Sequence, residues 1–235
     1  SNAFRIRVLG EFPQADDDTI IPYHLVENAI HRDVEGDENL PSVWGLDVSR
    51  FGNDKTALCK RQGSIVTEIR SWSGLDLMQT VGRVVAEYES LLPSKRPREI
   101  LVDSIGLGSG VVDRLRELEL PVRGINVAEA PSMGATYLNL RSELWFKTKG
   151  WFEDRACKLP KDDQLLAELT GIRYSFTSSG KMKAESKDEM RKRGLASPDL
   201  ADALCLTMAS DAATALSGAF SSWRGDIKRN LRGIA

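Results

Sequence analysis

The sequence predicts an α/β fold in which one mixed central β-sheet carries helices on both faces. Two observations support this fold class. After residue 42, three strand-like runs follow one another with tight turns between them, and helical and strand-like patterns then alternate along the chain. Tight turns join antiparallel strands, whereas intervening helices usually join parallel strands, so one sheet should contain both kinds of pairing.

Individual elements follow from local patterns. Strands are predicted where short apolar runs lie between turn residues such as Gly52-Asn53: 43–48, 55–61, 65–72, 99–103 and 122–126. Helices are predicted where apolar residues recur every three or four positions: 75–92, 110–118, 138–150 and 162–169. Residues 172–176 and 181–185 flank Ser178-Ser179-Gly180 and should form a hairpin. A basic helix from Lys187 and an apolar helix over 198–213 follow.

The charge is unevenly distributed and suggests the domain organisation. Segment 11–39 holds nine acidic residues against Arg32, a net charge of −8, which leaves +6 for the rest. Apart from a helix predicted at Tyr23–His31, we interpret this segment as an extended linker. The expected division is therefore a lead over 1–41, starting with a cloning scar at Ser1-Asn2-Ala3, a folded domain over 42–215, and a basic tail over 216–235.

The composition excludes several classes of protein. With 41% hydrophobic and 28% charged residues among 235, the chain is typical of a globular protein with a sizeable core. Its net charge of −2 argues against binding nucleic acid through bulk charge alone. No apolar run reaches the roughly 18 residues of a membrane span, and the polar start is unlike a signal peptide. Cys59, Cys157 and Cys205 are expected to be reduced core thiols, which suggests the cytoplasm.

Four aspartates occupy places where an unpaired charge is costly. Asp47 lies in an apolar strand, Asp103 ends another, and Asp199 and Asp202 lie in the first turn of the apolar helix. A buried carboxylate without a partner costs several kcal/mol, so these residues need a cation or hydrogen-bond donors. Carboxylate oxygens suit Mg²⁺ or Mn²⁺, and two such ions about 4 Å apart can hold both oxygens of a phosphodiester displacement. No zinc cluster competes, since both histidines lie in the acidic lead.

Other interpretations of these residues remain open at this point. An aspartate at a strand end often forms a turn or a cap, and Asp199 could simply complement the helix dipole. Residues 45–49 with Thr56, and residues 103–110, also have some likeness to the phosphate loops of actin-like nucleotide-binding proteins. The chain is short for such a two-lobed protein, and no Walker lysine follows the glycines.

Several motifs together resemble a known family. They are GEFP (10–13), GLDV (45–48), DKT (54–56), VDSIGLGSGV (102–111), NLR (139–141), ESKDEMRKRG (185–194) and SPDLADAL (197–204). With these motifs the chain resembles the C-terminal nuclease domain of the large terminase subunits of tailed phages, which package and cut viral DNA. The resemblance extends from about residue 7 to about residue 213.

The resemblance implies an RNase H-like fold and a metal-dependent endonuclease that acts on double-stranded DNA in the host cytoplasm. It implies that Asp47, Asp103 and an aspartate of the last motif bind metal. It further implies partners that this chain does not include, namely an N-terminal ATPase domain, the small terminase subunit and the portal. Retroviral-type integrases and Holliday-junction resolvases share the fold but match these motifs less well. The main alternative is a DNA-binding or docking module that does not cleave.

Two further expectations concern individual side chains. A basic group is predicted to contact DNA phosphates, with a solvated, salt-bridged helix as its alternative: Lys181, Lys183, Lys187, Arg191 and Arg193. Both late aspartates are expected to contribute, and Asp199 is ranked first as the direct metal ligand, because Pro198 places it at the helix end, where side chains reach the cleft. Asp202 is expected to be a second ligand or a group that orients a water molecule or Lys187. Asp47 is expected to be the ligand shared by both ions.

Overall fold

The computed structural model describes residues 18–37, 39–49 and 54–210. The expected cloning scar, the GEFP motif, the turn at Gly52-Asn53 and the basic tail lie outside these residues. Within them, no helix is both long enough and apolar enough to cross a membrane.

Five strands form the central sheet in the order β3-β2-β1-β4-β5. They are β1 (Ser42–Asp47), β2 (Thr56–Gln62), β3 (Ile65–Trp72), β4 (Glu99–Asp103) and β5 (Val122–Ile125). The β1–β2 and β2–β3 pairs are antiparallel, whereas β1–β4 and β4–β5 are parallel, so the predicted mixed sheet is confirmed. In the parallel β1–β4 pair, Leu46 lies opposite Val102. Asp47 and Asp103 therefore end neighbouring strands at the same edge of the sheet.

Seven α-helices and a small hairpin surround this sheet in the described residues. The helices are α1 (Tyr23–His31), α2 (Leu77–Glu89), α3 (Leu107–Glu117), α4 (Leu140–Glu153), α5 (Asp163–Gly171), α6 (Lys187–Lys192) and α7 (Asp199–Leu206). The hairpin pairs β6 (Tyr174–Phe176) with β7 (Met182–Ala184). Short 3-10 turns lie at Pro93–Lys95 and Thr207–Ala209. The elements expected from sequence are present, with ends shifted by a few residues.

Alternate residues of β1 point to opposite faces of the sheet and pack in two separate hydrophobic cores. Trp44 and Leu46 pack with α2 and α3 on one face of the sheet. Val43 points to the other face, where α1, α4, α5 and α7 contribute the larger core. Gly45 lies on that same face, and a Cβ there would come within 2.0 Å of the Ala203 carbonyl oxygen. Only glycine allows α7 to approach β1 so closely, and this contact carries the carboxylates of α7 to the end of β1.

The acidic lead differs from the linker that the sequence suggested. Ile20, Ile21 and Val26 are fully buried in the larger core, and the Ile20 N–H donates to the Ile172 carbonyl at 3.1 Å. The apolar residues of this short segment lie on one face of α1 and its approach, so they pack despite the acidic composition. The linker interpretation is wrong for this part of the lead.

Two further details bear on the sequence expectations. Helix α3 begins at Leu107 rather than residue 110, because Gly106 takes a positive φ of 63° and turns the chain directly into the helix. The last helix ends at Leu206, well before residue 213, and a 3-10 turn follows. Cys59, Cys157 and Cys205 are free and buried, as expected for core thiols.

Candidate active site

Four aspartates converge at the edge of the sheet where β1 and β4 end. Asp47 and Asp103 are the last residues of these strands, and Asp199 and Asp202 lie in the first turn of α7. Asp47, Asp199 and Asp202 are all buried, and Asp103 is half-buried. A cavity of about 370 Å³ opens here, and its lining includes Asp47, Asp103 and Asp202.

The ammonium group of Lys187 lies among these carboxylates. Its Nζ is 3.0 Å from Asp47 Oδ2, 3.4 Å from Asp199 Oδ1 and 3.6 Å from Asp202 Oδ2. The start of α6 holds this lysine in place, because Ser186 and Glu189 form a reciprocal capping box around it. Sequence patterning grouped Lys187 with the DNA-binding residues, but in the structure its nearest charged partners are the aspartates.

Two residues of α4 hold Asp202. The indole N–H of Trp145 donates to Asp202 Oδ1 at 2.8 Å. Arg141 Nη2 lies 3.1 Å from the same oxygen and 3.3 Å from Oδ2, while its Nη1 donates to the Glu185 carbonyl at 2.6 Å. Trp145 is fully buried in the larger core, and the hydrogen bond from its indole had no signal in the sequence. Arg141 belongs to the NLR motif, which could have identified it.

Asp199 has a different environment. Its Oδ2 accepts the backbone N–H of Lys55 at 2.7 Å, and its side chain is not among those that line the cavity. Of the two late aspartates, Asp202 is therefore the one that lines the cavity, and the ranking of Asp199 as the direct metal ligand stays a prediction. The Asp199 carboxylate is thus turned toward the residue that precedes β2, whereas Asp202 reaches the cavity.

The electrostatics of the cluster show a shortage of positive charge. Burial raises the pKa of Asp47 to about 7; Lys187 opposes this shift, and Asp202 and Asp199 reinforce it. Burial likewise raises the pKa of Asp103. Burial alone would lower the pKa of Lys187, but attraction to Asp47, Asp202 and Asp199 outweighs it and raises that pKa. The site would therefore be stabilised by an additional cation.

The side chains fit a hard divalent cation by their chemistry. All four acidic groups offer oxygen, which Mg²⁺ and Mn²⁺ prefer. In the described part of the chain, however, no three His, Cys, Asp or Glu side chains are already arranged around one point as an ion requires. The Lys187 ammonium lies within 3.6 Å of three of the carboxylates. Metal binding would therefore involve a shift of Lys187 relative to the aspartates.

The other predicted DNA-binding residues are largely paired. Three of them contact acidic side chains: Lys183 with Glu189 at 2.8 Å, Arg191 with Asp54 at 2.6 Å, and Arg193 with Glu185 at 2.5 Å. Lys181 lies beside the hairpin tip, where its backbone N–H donates to Thr177 Oγ1 at 3.0 Å. Among the described residues, Lys181 has no acidic partner.

Comparison with known proteins adds to this geometry. No family model matches the chain. The chain is 25% identical over 228 residues to a probable terminase large subunit of Enterobacteria phage P7, an alignment that covers 87% of this chain and 44% of the relative. The chain thus spans less than half the length of this relative.

Solved structures share the fold. The nuclease domain of the large terminase subunit gp2 of bacterial virus Sf6 superposes with a TM-score of 0.68 at 22% identity, covering 80% of this chain and 97% of that one. The large terminase nuclease from thermophilic phage G20c with bound magnesium gives a TM-score of 0.61 at 16% identity, covering 82% and 97%. These domains are RNase H-like, which agrees with the expected fold class. The chain is therefore similar in sequence to a probable phage terminase large subunit and has the fold of terminase nuclease domains.

Proposed function

We propose that this chain is the nuclease part of a terminase large subunit and cuts double-stranded DNA during viral genome packaging with two divalent metal ions. The observation that carries the proposal is the excess of carboxylate over cationic side chains at the end of β1 and β4. Structures of related domains contain magnesium in the G20c nuclease and manganese in a K428A variant of the Sf6 nuclease. These relatives support the use of a divalent metal.

Asp47, Asp103 and Asp202 would hold the ions, because they line the same cavity. The negative charge of Asp199 adds to the rise in the pKa of Asp47. When bound, the metal would acidify a water molecule and stabilise charge on the phosphate oxygens. Arg141 and Trp145 keep Asp202 in a fixed orientation from the α4 side. The half-exposed Lys187 ammonium offsets part of the carboxylate charge and can also reach a phosphate oxygen at the cavity mouth.

The substrate and partners follow from the same proposal. Contacts to phosphates suit an enzyme with little sequence preference. Lys181, which has no acidic partner among the described residues, offers its ammonium for them. The full protein would add an N-terminal ATPase domain and work with the small terminase subunit and the portal in the host cytoplasm. The alignment covers 44% of the P7 relative, so more than half of that relative lies outside it.

Plasmid nicking tests the proposal directly. Supercoiled DNA should be cut with Mg²⁺ or Mn²⁺ and left intact with EDTA. Asp47→Asn should abolish cleavage, because it removes one of the three carboxylates that would hold the ions. The same substitution should raise the melting temperature by relieving repulsion among the carboxylates. Asp113→Asn is the matched control, since the Asp113 side chain is 71% exposed and lies on α3. Full cleavage by Asp47→Asn would contradict the metal-dependent mechanism.

A second candidate is a DNA-binding module that does not cleave. The position of Lys187 favours it, because the ammonium already satisfies part of the carboxylate cluster. DNA binding that is insensitive to EDTA, with no nicking at any Mn²⁺ concentration, would support this candidate over the nuclease.

A further inference from the structure

Helix α7 begins without a capping side chain of its own. Pro198 occupies the N-cap position and makes no side-chain hydrogen bond to the helix. The first backbone N–H groups of a helix have no partner within it and need an external acceptor. An acceptor for these N–H groups is especially important in α7, because the first turn of this helix carries Asp199 and Asp202.

Glu168 of α5 supplies the missing acceptor. Its Oε2 accepts the backbone N–H of Ala201 at 3.0 Å, and the N–H of Leu200 also stabilises its charge. Glu168 is 9% exposed. A negatively charged side chain at this end of a helix also interacts favourably with the helix dipole. The cap of α7 thus comes from a neighbouring helix, 33 residues earlier in the chain.

The other oxygen of Glu168 links this cap to Asp199. Glu168 Oε1 accepts from Gln164 Nε2 at 2.7 Å, and Gln164 Oε1 accepts from Lys55 Nζ at 3.3 Å. The backbone N–H of Lys55 in turn donates to Asp199 Oδ2 at 2.7 Å. The network therefore runs from the backbone of α7 through α5 and the start of β2 to a carboxylate of the cluster.

We propose that Glu168 is a positioning residue for the carboxylates of α7. A Ser or Asn at residue 198 would satisfy the same N–H groups but would leave α7 free to rotate against its neighbours. A cap from α5 fixes the helix start relative to the rest of the larger core. The 2.8 Å bond between Asp202 and the Trp145 indole needs that fixed orientation. The role of these carboxylates as metal ligands rests on the proposed function.

Two substitutions and a control test this role. Glu168→Ala removes the acceptor, whereas Glu168→Gln keeps an amide oxygen in its place. Asp76→Ala is the matched control: it removes the cap of α2, where Asp76 Oδ1 accepts the Gln79 N–H at 2.7 Å, on the opposite face of the sheet. Three measurements are made on each purified chain: Mn²⁺ affinity by electron paramagnetic resonance, the indole N–H resonance of Trp145, and hydrogen exchange of the Leu200 and Ala201 amides.

Glu168→Ala should weaken Mn²⁺ binding about tenfold, in line with the loss of groups that orient metal ligands. It should also shift the Trp145 resonance and speed exchange of the two amides. Glu168→Gln should stay within about twofold of the unmodified chain. Asp76→Ala should lower the melting temperature and leave affinity and resonance unchanged.

Unchanged Mn²⁺ affinity and an unchanged Trp145 resonance in Glu168→Ala would overturn the inference. Equal effects of Glu168→Ala and Asp76→Ala would also overturn it, since they would show a general loss of stability. If the unmodified chain binds no Mn²⁺, the metal centre of the proposed function fails. The Trp145 resonance and the amide exchange then still decide whether Glu168 orients α7.

Discussion

Lys60 and Lys187 each lie among carboxylates, and the two clusters differ in their balance of positive and negative charge. Lys60 on β2 contacts Glu87 at 2.6 Å and Glu68 at 2.7 Å, and its ammonium lies 4.9 Å from the centre of the Trp44 ring. Arg70 pairs with the same two glutamates. Two cations thus meet two anions, and this cluster is electrically balanced without any ligand.

The cluster around Lys187 is not balanced. Lys187 and Arg141 face four aspartates, so two negative charges remain uncompensated when all groups are ionised. Both clusters contain close ion pairs, and the presence of ion pairs therefore does not distinguish them. The charge count does: the first cluster is neutral, whereas the second carries an excess of negative charge.

The largest expected effect is on cleavage, and it differs between the two late aspartates of the unbalanced cluster. Asp202→Ala should reduce cleavage by at least 100-fold, on the order of the loss of a direct ligand or its orienting group. Asp199→Ala should lose less, about tenfold, because Asp199 lies outside the cavity lining and bonds the Lys55 backbone. Nicking rates at saturating Mg²⁺ measure both. A dead Asp199→Ala beside an active Asp202→Ala would restore the order expected from sequence.

A substitution in the balanced cluster around Lys60 should lower stability and leave cleavage unchanged. Glu87→Gln removes one anion from a partly buried network and leaves Lys60 and Arg70 short of a partner. The free energy of unfolding should fall by about 1–3 kcal/mol, as judged by urea denaturation. Nicking by the folded variant should match the unmodified chain. A loss of cleavage at unchanged stability would show that the two clusters are coupled through the sheet.

The unbalanced cluster should also make stability depend on pH. Because the pKa of Asp47 is raised to about 7 in the folded chain, the unfolded chain releases this proton at lower pH. The free energy of unfolding should therefore fall as pH rises from about 4 to 7, by about 1.4 kcal/mol for each unit of pKa difference. Asp47→Asn should flatten this slope in urea titrations without metal. If the pH slope is unchanged in Asp47→Asn, other titrating groups cause the pH dependence of stability, and Glu168 is the first of them to test.

The smallest effect concerns charges outside both clusters. Lys181→Ala should lower the slope of log affinity for DNA against log salt by about 0.9, since one phosphate contact is lost. Lys183→Ala should lower it far less, because Glu189 already lies 2.8 Å from the Lys183 ammonium. Equal slopes for the two variants would show that DNA displaces Glu189 from Lys183.

Much of the fold was predictable from local patterns, and so were the four aspartates. The strands around Asp47 and Asp103 are apolar runs that each end in an aspartate, and the period of the helices is clear. Apart from Arg141 in the NLR motif, the partners of these acids were not predictable. Trp145 reads as a core residue and Glu168 as part of an amphipathic helix, because their polar contacts depend on how helices far apart in the chain pack together. The hydrogen bond of Asp199 was not predictable for the same reason, because the Lys55 backbone N–H that donates to it lies 144 residues earlier.

The contact between Gly45 and Ala203 has a consequence for the order of events during protein synthesis. A chain emerges from the ribosome from its N-terminus, at about 5–20 residues per second. The strands that carry Asp47 and Asp103 emerge first, but α7 is the last helix of the described chain, and its backbone must seat directly on Gly45 before the cluster is complete. A partly made chain holds two separate aspartates and no finished site. Any activity of this centre toward DNA therefore begins only once nearly the whole described fold has been released.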